Sequence, residues 1–251
     1  MDARSLPDWL FLWDGDFDNL SSYALNYAEA AVLRYRGQVA VWNCTARMNM
    51  ESACSLTEEQ RLKLTVRVVE MVKRHEPKTP VIVTMDQPWG EHVAHDEVDL
   101  TPLHFADALV RSDIGLERIG LEVNLGYVPR GTEPRDLLDF TQQLDLWSCL
   151  GLPLLVFLTV PSNTAPDPLG DHTLQVKQGA AGGILDAQTQ CEVVRNLVRL
   201  LISKQTVQGV IWNQLDDSKS HDFPHGGLVD GNGRVKPVMD VLAKIRERNL
   251  I

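Results

Sequence analysis

A chain of 251 residues that is 44% hydrophobic and 23% charged has the composition of an ordinary globular protein, long enough for one sizeable core and too apolar to be disordered. Its formal charge of −10 argues against a nucleic-acid partner, as does the lack of a Lys/Arg stripe with interleaved aromatics; neutral or cationic ligands stay open. No apolar run reaches the roughly 18 residues that a membrane span needs, and MDARSLPDWLFLWDGDFDNL has neither the basic region nor the apolar core of a secretory leader.

The first 20 residues carry three large apolar side chains, Trp9, Phe11 and Trp13, but no strand–helix unit. Residues 21–36 place Leu25, Ala28, Val32 and Tyr35 near one helical face, and Gly37 suits the helix end. QVAVWN (38–43) then reads as a strand. A helix over 57–75 opens on Thr57 with Gln60 three positions on, a capping-box pattern, and carries Leu64, Val68, Met71 and Val72 down one side. The cycle repeats with strand 80–85 and helix 102–111, then strand 118–125 and helix 134–150 with Pro134 in its first turn. Strand 152–160 precedes helix 189–204, and strand 207–213 precedes helix 236–249. Between them VPSNTAPDPLGDH (160–172) reads as a long strand-to-helix loop. Five Val/Ile/Leu-rich strands, each followed by a helix, predict a parallel α/β sheet, either a TIM barrel or an open doubly wound sheet. No GxGxxG or P-loop follows a strand, which disfavours a nucleotide fold, and no cofactor is implied. With no linker in sight, residues 1–251 read as one domain. Of the four cysteines, Cys44, Cys54, Cys149 and Cys191, none forms a CxxC pair, and Cys44 and Cys149 are expected to be small buried thiols.

Chemistry in such folds sits at the C-terminal strand ends and the loops after them. Polar residues gather there: Asn43, Thr45 and Arg47 after the first strand, Asp86, Gln87, Trp89, Glu91 and His92 after the second, and Glu122, Asn124 and Tyr127 at the third. The fourth offers Thr159, Ser162 and Asn163; the fifth ends in Trp212, Asn213, Asp216, Asp217, His221, Asp222 and His225. Indole rings beside amides and carboxylates suit a sugar, since a ring covers apolar C–H faces while Asn, Gln and Asp bond hydroxyls. The candidate substrate-binding residues are therefore Trp42, Asn43, Arg47, Trp89, Asn124, Tyr127, Trp212 and Asn213, with barrel packing the competing role for each tryptophan; Trp147 reads as helix core. The Asp/His cluster at 216–225 mixes metal-ligand types but has no HxxxH or HExxH spacing, so no metal is assigned. Ser162 lies in no GxSxG elbow, so a Ser-His-acid triad is not supported.

Four stretches taken in order resemble glycoside hydrolase family 10, the endo-β-1,4-xylanases. They are LPDWL (6–10) with RYRGQVAVWN (34–43), EPKTPVIVTMDQ (76–87), IGLEVNL (119–125), and GVIWNQLDD (209–217) followed by GGLVDGNGRVKPVMDVL (226–242). The resemblance runs from about residue 6 to 246 and implies a glycosidase-type (β/α)8 TIM barrel. It begins after the family's third strand. This chain is therefore expected to supply strands four to eight as one partial domain, with a missing N-terminal barrel segment or an adjoining domain completing it and an aggregation-prone open edge otherwise. It also implies a poly- or oligosaccharide partner. Asp86 matches the Asp after the fifth strand and Trp212 the eighth-strand Trp. Counting from Trp42, the Asn before the acid/base Glu falls on Ala46 and the Glu itself on Arg47. The nucleophile Glu falls on Leu158, or on Thr159 if the register slips by one, and the His that supports it falls on Asn124.

A retaining glycosidase needs two carboxyl groups roughly 5–5.5 Å apart. Arginine has no acceptor and leucine no nucleophile, so the resemblance implies that the usual mechanism is lost. Two readings follow. In one, Glu122 with Asp86 or Asp216 forms a displaced pair at the roughly 6.5–9.5 Å of an inverting enzyme. In the other, the barrel binds β-linked polysaccharide and hydrolyses nothing. Glu122 and Asn124 share one face of their strand, and an ion pair to a base such as Arg47 is the plain alternative to catalysis for Glu122.

Overall fold

The structure, a computed structural model, describes residues 1–2, 7–51, 54–94, 99–177 and 186–249; Leu6 of the LPDWL stretch lies outside them. A 3-10 helix (Asp8–Trp13) leads into α1 (Phe17–Arg34), followed by β1 (Trp42–Ala46), α2 (Glu58–His75), β2 (Val81–Asp86), α3 (Pro102–Arg111) and β3 (Arg118–Asn124). Next come β4 (Tyr127–Val128), α4 (Leu137–Ser148), β5 (Leu154–Thr159), β6 (Gln175–Val176), α5 (Ala187–Ser203), β7 (Val207–Trp212) and α6 (Pro237–Asn249). Among the described residues the long strands form one sheet in the order β1-β2-β3-β5-β7, with β1 and β2 parallel, and β4 and β6 form a separate antiparallel ribbon. This is the parallel α/β arrangement that the strand–helix alternation predicts. No described helix is long and apolar enough to cross a membrane.

The chain divides into two compact units, residues 1–121 with 147–154, and residues 122–146 with 155–251. In the first, Thr57 and Gln60 close a reciprocal capping box at the start of α2 (2.9 and 3.3 Å), satisfying amides that the helix itself leaves open. α2 packs Leu64, Val68 and Val72 inward, and every residue of β2 is buried, as a strand covered on both faces requires. Trp147 is fully buried, its indole N–H donating to the Pro88 carbonyl (3.3 Å). In the second unit, Asp186 caps α5 by accepting from Thr189 N (2.7 Å), and α5 buries Val194, Leu197, Val198 and Leu201 while packing against α6 and β7.

Four local expectations need correction. β1 starts at Trp42, not Gln38, because residues 35–38 are committed to a turn: Gln38 N donates to Tyr35 O (3.0 Å), and Gly37, at φ +70°, donates its N–H to Glu76 (2.8 Å). α1 starts four residues early, at Phe17, because Asp16 caps it through Asn19 N (3.2 Å). α4 starts after Asp136, whose carboxylate accepts from Asp139 N (2.8 Å), so Pro134 is not in its first turn. Cys149 is exposed, whereas Cys44 is buried and burial pushes its thiol up to about 12.

Candidate functional site

In the first unit the C-terminal ends of β1 and β2 lie side by side and carry Arg47, Asp86 and Gln87. Arg47 (φ 63°) and Gln87 (φ 48°) both adopt left-handed backbone, a conformation that surrounding structure must impose on non-glycine residues and that concentrates at functional sites. Arg47 is held there by its own N–H, which donates to Thr84 O (2.8 Å). Asn49 clamps the end of β2, donating to Asp86 O (2.9 Å) and accepting from Asp86 N (3.0 Å). The Asp86 carboxylate is buried; one oxygen accepts from Gln87 N (2.8 Å), and the other lies 3.7 Å from Arg47 Nε. Arg47 Nη1 bonds Asp2. The buried guanidinium thus bridges two carboxylates where the resemblance puts the family's acid. Gln87 Oε1 is buried without a hydrogen-bond partner among the described residues, and Trp89 follows half-buried.

Two of the predicted substrate residues are not at this rim. Because β1 begins at Trp42, Trp42 and Asn43 occupy the N-terminal end of the strand, where Trp42 is in register with Val81. The Val-Ala-Val run before Trp42 suggests a strand already under way; the turn at 35–38 removes it.

In the second unit, Glu122, Asn124 and Asn213 form a chain of polar groups. Asn213 Nδ2 donates to Asn124 Oδ1 (3.1 Å), and Asn124 Nδ2 donates to Glu122 Oε2 (3.2 Å). Glu122 and Asn124 are buried, and their two-residue spacing puts both side chains on one face of β3. Leu158, at the expected nucleophile position, is fully buried, and its carbonyl accepts from Asn213 N (3.1 Å). Thr159, the alternative register, is buried too, its hydroxyl without a partner among the described residues. Asp216 lies in the loop after β7, where the Ser218 backbone N–H (2.8 Å) and hydroxyl hold its carboxyl below the usual carboxylate range. It is therefore ionised at neutral pH, suited to accepting a proton or a hydroxyl rather than to donating as an acid.

Tyr127 is not a rim ring. It is 2% exposed, packs with Leu174 and Phe223, and donates its hydroxyl to Pro224 O (3.0 Å). Burial drives its phenol well above the ordinary value. Trp212 is half-buried, donates its indole N–H to Gly226 O (2.9 Å), and lines an apolar groove of about 470 Å³ with Val198, Ile202, Met239 and Leu242. Gly226 matters sterically: an added Cβ would lie 2.7 Å from Thr159 Cγ2 and 2.9 Å from both Phe223 Cβ and Tyr127 Oη. Gly226→Ala is therefore expected to destabilise by about 1–3 kcal/mol through overpacking, read as a lowered urea midpoint at unchanged m-value.

The 216–225 cluster sends its side chains to separate partners. Asp217 pairs with Lys236 (2.6 Å), while His221 Nε2 (3.1 Å) and His225 Nδ1 (3.5 Å) face Asp167; among the described residues no three such groups are placed to hold a metal. Asp167 and Lys236 escape sequence reading because only the folded chain brings these distant positions together. Burial raises the Asp167 carboxyl, but N–H bonds from His225 (2.9 Å) and Leu169 (3.1 Å) and the two imidazoles outweigh it and hold the carboxyl below its usual range. A carboxyl lowered on folding adds stability above its unfolded pKa of about 4, and that stability is lost as pH falls through the lower folded value. Asp167→Asn should flatten the fall in unfolding free energy below about pH 4, measured by urea titration at stepped pH.

No protein-family model matches the chain, and no curated protein matches its sequence. Solved structures do match. An endo-1,4-β-xylanase of Penicillium canescens superposes with TM-score 0.70 at 15% identity, covering 100% of this chain and 73% of that one. Xylanase 10B of Thermotoga petrophila, solved in complex with xylobiose, gives 0.66 at 14% identity, covering 97% and 70%. A β-glucuronidase of Ruminococcus gnavus gives 0.62 at 14% identity, covering 92% of this chain and 36% of that one. The chain has a GH10-like fold. Identities this low show the architecture, a TIM-barrel-like parallel α/β fold, and carry no residue roles with them.

Proposed function

We propose that this chain is a carbohydrate-binding barrel for a neutral or basic β-linked poly- or oligosaccharide and that it does not hydrolyse its ligand. The observation that carries this reading is the state of Arg47: a buried guanidinium, with no acceptor atom, engaged with Asp2 and Asp86. Such an arrangement neutralises strand-end carboxylates instead of supplying a proton. The polar chain of Asn213, Asn124 and Glu122 offers amide and carboxylate groups of the kind that bond sugar hydroxyls. Titration calorimetry with xylo- and cello-oligosaccharides should give heat that Asn213→Ala weakens, while activated aryl glycosides release no phenol. Heat absent with every oligomer would end the binding reading.

A second reading rests on the same polar chain. If Glu122, oriented by Asn124, acts with Asp216 as a displaced pair, aryl glycosides will be cleaved, and Glu122→Gln will lower that rate by about 10²–10⁴. Turnover indifferent to Glu122→Gln excludes the pair.

A further inference from the structure

Four aromatic rings lie in one contiguous cluster on the outer face of α1, and neither unit's strand-end residues involve them. Trp13 stacks on Tyr23, with centroids 5.0 Å apart and planes at 21°. Trp9 meets Tyr23 edge-on at 6.4 Å and Tyr27 at 6.0 Å. Tyr23 and Tyr27 are one helical turn apart, which brings them to the same side of α1. The rings hold one another at fixed angles, yet three of the four are exposed, Trp9 at 39%, Tyr23 at 42% and Tyr27 at 57%, while Trp13 is half-buried. A contiguous apolar surface left in water is a feature of interaction and ligand sites, and these rings are preoriented by their own edge and stacking contacts.

We propose that Trp9, Tyr23 and Tyr27 form a second carbohydrate site, a platform along α1 and the 3-10 helix before it that stacks a neutral β-linked polysaccharide chain outside the strand-end region. The inference rests on the carbohydrate-binding reading above and adds a separate place of attachment to it. Three features favour a sugar over a protein partner. Tyr23 and Tyr27 present ring surface ending in phenol hydroxyls, which supplies both an apolar face and hydrogen-bonding groups, and Leu12 of the adjoining 3-10 helix extends the exposed apolar surface. Around it stand Asp8, Asp14, Asp16 and Asp18, all exposed; Asp14 is fixed by Ser55 (2.7 and 3.1 Å) and Asp16 by its cap on α1. Their remaining lone pairs are acceptors for hydroxyl groups. That acidic border, on a chain of net charge −10, would repel a second copy or an anionic polymer, whereas an uncharged glycan meets no such barrier.

The test is native affinity electrophoresis of the full chain in gels containing soluble xylan, hydroxyethylcellulose or polygalacturonate. Tyr23→Ala and Tyr27→Ala sit at exposed helix positions that alanine suits, and each is expected to weaken retardation by the neutral polymers about three- to tenfold. Tyr27→Phe, which keeps the ring, should stay within about twofold of wild type. Polygalacturonate should not retard any form. Retardation unchanged in both alanine variants but lost in Asn213→Ala overturns the platform and leaves the strand-end reading standing. No retardation of the wild type by any polymer overturns both. Self-association in sedimentation that Tyr27→Ala abolishes, with sugar retardation unaffected, reassigns the face to a second copy and overturns the platform.

Discussion

Asp217→Asn is expected to destabilise the second unit by about 3–5 kcal/mol, the usual consequence of removing one partner of a buried ion pair. The Lys236 and Asp217 side chains are 7% and 4% exposed and lie 2.6 Å apart. Neither ion has water to fall back on. Asp217 Oδ1 also accepts from Gly227 N (2.6 Å) and Gln214 Nε2 (2.7 Å), while Lys236 Nζ donates to His225 O (2.8 Å). One pair therefore ties three parts of the long segment between β7 and α6. An asparagine keeps the size but removes the countercharge and turns one acceptor into a donor facing an ammonium. Lys236→Met should be comparably harmful, since it leaves the carboxylate buried. The double variant should recover part of the combined loss, because no lone charge then remains inside. Urea unfolding of the four forms measures this. Single variants within about 1 kcal/mol of wild type would mean that water reaches the pair.

The alternation of strands and helices was legible because it rests on local causes: the 3.6-residue spacing of Leu64, Val68 and Val72 along α2, the Thr57–Gln60 box, and the β-branched run Val81-Ile82-Val83-Thr84 of β2. Errors arose where a distant residue decides. QVAV has strand composition, but Glu76, 39 positions away, fixes the turn at Gly37, and that shift takes Trp42 to the wrong end of its strand for ligand contact. Tyr127 sits after a strand as a rim residue should, yet its hydroxyl partner, Pro224, is 97 positions away and the ring is folded under Phe223 and Leu174. At Arg47 the sequence shows an arginine where the resemblance puts an acid, but not its partners. Asp2 is 45 positions off, in a segment that looks featureless until β1 aligns beside it through the Asp2–Ala46 bridge.

That environment decides what restoring a carboxylate at position 47 would do. Arg47→Glu, the change that recreates the family's acid by resemblance, is expected to cost at least about 3–5 kcal/mol and to yield no hydrolysis. The wild-type guanidinium is 8% exposed and stands against Asp2 and Asp86, of which Asp86 is completely buried. A glutamate there removes the countercharge and adds a third negative group to a site with little water to screen it. Such a cluster relieves itself by keeping a carboxyl protonated or by losing local structure. The first outcome leaves stability that drops as pH rises through that raised pKa; the second lowers the midpoint at every pH. Arg47→Met separates the two contributions, since it deletes the positive charge without adding a negative one and should fall between wild type and Arg47→Glu. Asp86→Asn introduced into Arg47→Glu should restore part of the loss, because the remaining repulsion is then with Asp2 alone. Urea unfolding at pH 5 to 8 gives the stabilities, and release of phenol from an aryl xyloside gives the activity. A folded Arg47→Glu variant that equals wild type in stability and cleaves the xyloside would show that Arg47 merely fills a working site, and the silent-barrel reading would be abandoned.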